Sequence, residues 1–271
     1  MLAELLREHK DQIETTLRIG YATWDALIER VERQDRKDQD DYDDEQIWTF
    51  LVCCGYAMAG ASGAAQLGSL LCGQTQSRFS PNLIWFEALP IPPRKKEGNT
   101  HLDLALGNIA PRAGTSSGIR YDEHDCGIIC FCECKWYSDI SKDVSYDKHR
   151  NQLIRVIENA LTFQSNAHFP VGVHVTLITP RVFCDAPLKS RLYQYKYEEY
   201  KGNTAAMLRD LSGCSLAENR TEEFCYPNIA QRMGCLSLNW IAYEDLYSSI
   251  PLSPVSEAIV SFHRRFNESE K

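Results

Sequence analysis

The run GIICFCECK, residues 127–135, constrains the chain more than any other stretch. A β-strand sends successive side chains to opposite faces. Ile129, Phe131, Glu133 and Lys135 therefore share one face, while Cys130, Cys132 and Cys134 share the other. A carboxylate and an ammonium side by side over a cleft can hold a hard cation and a phosphate, and small thiols on the opposite side can pack beneath a helix. The segment HLDLALGNI, residues 101–109, is expected to be a neighbouring strand that adds the carboxylate of Asp103. Mg²⁺ needs only one or two protein carboxylates, because water and phosphate oxygens complete its octahedron, so Asp103 and Glu133 suffice as anchors. The backbone carbonyl of Cys134 is a further donor.

Around this pair the chain alternates between helical and strand patterns. Residues 2 to about 33 are spaced as a loose amphipathic helix, broken near Gly20. The acidic stretch that follows has seven acids against two bases over residues 35–45 and reads as a solvated linker. The working division is a helical extension and linker over 1–45 and one domain over 46–271. Residues 46–72, rich in Ala, Gly, Leu and Cys, predict a buried helix pair. NLIWFEAL, 82–89, predicts a first strand ended by prolines, with a turn at Arg94, Lys95 and Lys96. Glu87 in that strand is either an additional acid near a metal or a strand-end acid paired with a base. Residues 112–126 predict a loop carrying His124 and Asp125, each able to touch a substrate or simply to face solvent.

After Lys135 the chain enters a helix with Leu153, Val156, Ile157, Ala160 and Leu161 on one side. Arg150 and Gln152 lie at its start, where free backbone N–H groups and the helix dipole favour phosphate. The alternative for Arg150 is a salt-bridged helix start. VGVHVTLIT, 171–179, predicts a central buried strand. KSRLYQYKYEEY and residues 204–211 predict helices, and 236–250 a strand followed by a helix. Tyr193, Tyr195, Tyr197 and Tyr200 could stack on bases, but at helical spacing they suit a packing face.

Composition narrows the class. A chain of 271 residues with 44% hydrophobic and 24% charged content fits a soluble globular protein. It has no run long enough to span a membrane, and the charged N-terminus MLAELLREHKDQIE is unlike a signal peptide, which favours a cytoplasmic location. The eleven cysteines contain no CxxC pair, and three thiols strung along one strand face do not close a tetrahedron, so buried reduced thiols are expected instead of zinc. The net charge of −8 argues against a plain nucleic-acid binder, yet residues 135–155 hold Lys135, Lys142, Lys148, Arg150 and Arg155 against only three acids.

Asp103, then Glu133-Cys134-Lys135, then a helix bearing Gln152, resembles the PD-(D/E)XK nuclease superfamily of restriction endonucleases and junction resolvases. Leu102 stands where the motif's proline would be. The resemblance implies an α/β fold with a restriction-endonuclease-like core, in which helix, three strands, helix and strand form a mixed central sheet flanked by helices. It also implies a Mg²⁺-dependent endonuclease acting on DNA, with Mn²⁺ as a substitute and RNA not excluded. Asp103 and Glu133 would hold the metal, Lys135 would orient the attacking water and stabilise phosphate charge, Gln152 would position the nucleophile or phosphate, and Arg150 would hold the backbone. Restriction or defence against foreign DNA is a common occupation of such proteins. The alternative is a catalytically silent nuclease fold serving as a binding or assembly module. A homo-oligomer, or a protein partner bound through the N-terminal helix, stays open.

Overall fold

The computed structural model describes residues 2–36, 44–73, 79, 81–94, 100–123, 127–140, 150–186, 188–212 and 224–267. His124, Asp125, most of the acidic stretch, Lys95, Lys96, Lys142 and Lys148 lie outside the described residues.

The protein is α/β, with a mixed sheet between helical layers. In sheet order the strands are β1 (Leu17–Ile19), β2 (Ile84–Ala88), β3 (Leu102–Gly107), β6 (Ile128–Cys134), β7 (Gly172–Thr179) and β8 (Leu236–Ala242). β4 (Ile109–Pro111) and β5 (Ile119–Tyr121) form a separate hairpin where a plain loop was expected between the second and third strands. β2, β3 and β6 pair antiparallel, whereas β1 joins β2, β7 joins β6 and β8 joins β7 in parallel. β7 therefore has strands on both sides, in keeping with its largely apolar and β-branched sequence, buried from Val173 to Thr179.

One face is covered by α1 (Leu2–Glu8), α2 (Lys10–Glu14), α3 (Trp24–Arg36), α4 (Glu45–Ala57) and α5 (Gly60–Leu71). Every residue of α4 from Ile47 to Ala57 is buried, because α4 lies between the sheet and other helices. Gly63 lets α5 close on it, since a β-carbon there would meet the Tyr56 carbonyl oxygen at 2.0 Å. The second face is covered by α6 (Gln152–Thr162), α8 (Leu192–Tyr200) and α9 (Thr204–Ser212), with short α7 (Arg181–Cys184) and α10 (Ile229–Arg232) at its margins. α11 (Tyr243–Ser248) and α12 (Pro254–Asn267) return the chain to the first face. Among the described residues no helix is long and apolar enough to cross a membrane.

The period-two argument for β6 holds side chain by side chain. Cys130, Cys132 and Cys134 are fully buried in the first core, and Ile129 and Phe131 in the second. Leu153, Val156, Ile157, Ala160 and Leu161 of α6 pack on that second face. Tyr193, Tyr197 and Tyr200 are buried there too, so these tyrosines form a packing face and only Tyr195 stands out in solvent. The N-terminal segment, expected as a helical extension, instead contributes β1 to the sheet and Leu2, Leu6 and Ile13 to the core.

Candidate active site

Three carboxylates form a row across three strands. Phe86 pairs with Leu104 and Ala88 with Leu102, which sets Glu87 across from Asp103. Leu104 pairs with Cys132, and the same register carried one step on sets Asp103 across from Glu133. At Glu87 the backbone takes a left-handed φ of 52°, and β2 turns over: Phe86 packs into the first core and Ala88 into the second. A non-glycine residue in that region is strained, and such kinks re-aim side chains at strand ends.

Asp103 is half-buried, and its Oδ2 accepts a hydrogen bond from the Cys134 backbone N–H at 2.7 Å. Lys135 is buried at 6% exposure, with its Nζ 3.0 Å from Glu133 Oε1 and 3.0 Å from Glu45 Oε1. Sequence reasoning placed Glu45 in a linker. It is instead the first residue of α4, after the N-cap Asp44, where the helix dipole favours an anion. Its other oxygen accepts from the Trp136 N–H at 3.2 Å and the Ser138 hydroxyl at 2.7 Å. The structure therefore brings Asp103, Glu133 and Lys135 to one end of the sheet and adds Glu45. Glu45 and Asp103 border a cleft of about 290 Å³ that Gln46, Thr49, Phe86 and Glu87 also line, with Glu133 and Lys135 buried behind them.

The electrostatics are those of a site with excess negative charge. Burial pushes the Asp103 carboxyl well above the usual range, the charge on Glu133 pushes it further, and Lys135 opposes. Burial also raises Glu133, again against Lys135. Burial disfavours the Lys135 ammonium, yet Glu133, Asp103 and Glu45 outweigh it and hold its pKa above the ordinary value. Lys135 is thus a fixed positive charge and not a general base at neutral pH.

Glu87 lines the cleft, but its carboxylate accepts from the Ala22 N–H at 3.0 Å and from the Gln46 side chain. These contacts favour its role as a clamp on the kinked strand. Gln152 opens α6 and is half-buried; Asn151, which caps that helix by accepting from Ile154 N–H at 3.0 Å, is tied to the Tyr200 hydroxyl at 2.8 Å. One turn beyond Gln152, the half-buried Arg155 acts by its charge on both Glu133 and His101.

Arg150 does not fit the phosphate-holding role expected of it. It is only 1% exposed, and its guanidinium lies 2.6 Å from Glu158 Oε2. Arg94 grips the same carboxylate, from Nη2 at 2.7 Å and Nε at 3.1 Å, and the Tyr226 hydroxyl donates to it. The salt-bridged alternative describes Arg150; a DNA backbone cannot reach it without opening this cluster.

Among the described residues, no group of three or more His, Cys, Asp and Glu side chains is arranged to hold a metal ion. Asp103, Glu133 and Glu45 nonetheless offer carboxylate oxygens, which suit Mg²⁺ or Mn²⁺ completed by water and phosphate. Two carboxyls whose charge is disfavoured by burial and by neighbouring acids are also what a divalent cation would relieve. Comparison of the chain with protein-family models, with curated proteins and with solved structures gives no match.

Proposed function

We propose that this cleft is the active site of a Mg²⁺-dependent endonuclease that hydrolyses phosphodiester bonds in DNA, built on a restriction-endonuclease-like core. The observation that carries the reading is the charged Lys135 set among Asp103, Glu133 and Glu45 at a cleft. A salt bridge serving stability alone needs one acid and gains little from burial. The order α4, β2, β3, β6, α6, β7 around the acids supports the same core.

Asp103 and Glu133 would hold the cation, with Glu45 turned toward the same space. The bound ion would supply Lewis-acid polarisation of the phosphate and a water of lowered pKa. Lys135 would place its fixed charge where negative charge develops on the phosphate, inside a site that excludes much of the solvent. Arg155 would attract the DNA backbone, and Gln152 beside it would orient the phosphate or the water. Arg150 and Glu87 keep structural roles.

Incubation with supercoiled, linear and single-stranded DNA and with RNA, in Mg²⁺, Mn²⁺ or EDTA, tests this directly. Cleavage of DNA that EDTA abolishes is expected, together with its loss in Asp103→Ala. Cleavage unaffected by Asp103→Ala and by Lys135→Ala would remove the site from this reading.

A further inference from the structure

We propose that Tyr21, backed by His101, is a stacking platform for an unpaired DNA base at the mouth of the cleft, so that the strand presented to the acids is single-stranded or frayed there. The inference rests on the nuclease reading of the cleft and deepens it by naming the substrate class.

The Tyr21 and His101 rings stack with centroids 4.5 Å apart and planes 26° apart. His101 stands two residues before Asp103, so the platform lies at the edge of the acidic row. Tyr21 is nevertheless 70% exposed, among the most exposed large side chains described. One face of the phenol is spent on the imidazole and the rest is open to solvent.

The backbone that carries Tyr21 is fixed on both sides. Gly20 N–H donates to the Phe86 carbonyl at 2.8 Å, and Ala22 N–H donates to the Glu87 carboxylate at 3.0 Å. Gly20 lies so close to the kink in β2 that a β-carbon would meet the Glu87 carbonyl oxygen at 2.1 Å. An exposed aromatic ring gains nothing for stability from such anchoring, but a ring meant to receive a base gains by being ordered beforehand.

The chemistry selects the occupant. A base within a duplex has both faces covered by its neighbours, whereas an unpaired or terminal base has a bare face to lay on a flat ring. Stacking of this kind tolerates any sequence, because every base has a π-face.

The test reads binding apart from cleavage, by fluorescence anisotropy in Ca²⁺ with a labelled single strand of about 15 nucleotides and with covalently closed circular duplex as competitor. Tyr21→Ala should weaken single-strand binding about tenfold and leave competition by the closed duplex unchanged, while Tyr21→Phe should bind as the native protein does. Undiminished single-strand binding by Tyr21→Ala, or an equal loss on closed duplex, would overturn the platform. Cleavage in Mg²⁺ is scored in parallel. A native protein that cuts DNA while Tyr21→Ala binds normally keeps the nuclease and loses the platform. Tyr21-dependent binding without metal-dependent cutting does the reverse.

Discussion

The molecule holds two buried ion clusters of opposite character. At the cleft, Asp103, Glu133 and Glu45 surround one Lys135, so acids are in excess. Behind α6, among the described residues, Arg94 and Arg150 both pair with the single carboxylate of Glu158. The second cluster is sealed, with Glu158 at 0% exposure, and it joins the chain near residues 94, 150, 211 and 226 to one helix. There burial opposes the carboxylate, but Arg150 and Arg94 prevail and hold Glu158 below the usual range. At the cleft burial and mutual repulsion prevail, and the carboxyls of Asp103 and Glu133 are raised. The difference separates two uses of buried charge: Glu158 has found its cations within the chain, whereas among the described residues the cleft acids outnumber theirs.

The largest effect should come from the sealed cluster. Glu158→Ala leaves two buried guanidiniums without their shared carboxylate and should cost about 3–5 kcal/mol of stability, read by urea unfolding. Asp103→Asn, without divalent metal, should cost far less or stabilise, because it removes charge from a cluster already rich in acid. Equal losses in the two variants would erase the contrast.

Next in size is a kinetic effect at the cleft. Lys135→Ala should keep metal and DNA binding but lower turnover about a hundredfold or more, since one preorganised electrostatic stabiliser is worth ~3 kcal/mol. Rates on a DNA that the native protein cuts, compared with metal affinity by calorimetry, check it. Arg150→Lys serves as the counterpart. It should loosen the fold while leaving the salt dependence of DNA binding unchanged, because a sealed arginine releases no counterions from DNA.

The sequence made one part of this contrast readable and hid the other. Glu133 and Lys135 could be placed together because the period of a strand is two and both lie on one face of β6. The apolar pattern of α6 could be recognised for the same reason, since periodicity records which side is buried, whereas the helix pair α4–α5 was legible from its uncharged run of small and apolar residues. Glu45 could not be placed, since it reaches the site only through the packing of α4 against the sheet, and its acidic neighbours mimic a solvated linker. β1 is three residues long, too short to show alternation against the helical spacing around it. For Arg150 the sequence offered two partners, phosphate or carboxylate, and the helix start favoured phosphate. What decides is Glu158, eight residues along α6, met by Arg94 from a distant loop. Tyr21 gave no signal, because stacking on His101 depends on β1 lying beside β2.

The smallest effect is also the one that compares both clusters in a single experiment, the pH dependence of stability. A carboxyl whose folded pKa is raised contributes stability that is fully present below its unfolded pKa and is lost as pH rises through the folded value. Asp103 and Glu133 are of this kind, so the metal-free protein should lose their contribution on going from acidic toward neutral and alkaline pH. Glu158 has a lowered pKa and acts in the opposite sense: its contribution is present above the unfolded value and is lost as pH falls through the folded one. Mg²⁺ competes with protons for the cleft acids only, so the stabilisation it gives should grow with pH. With Mg²⁺ at ten times its dissociation constant the gain should be about 1.4 kcal/mol, read as a rise in Tm that is larger above neutrality than in mild acid. Asp103→Asn should abolish that rise, while a conservative change in the sealed cluster, Tyr226→Phe, should lower Tm without altering the response to Mg²⁺. A metal response that is flat with pH, or one that survives in Asp103→Asn, would mean that the cation is held elsewhere and that the raised carboxyls have a different purpose.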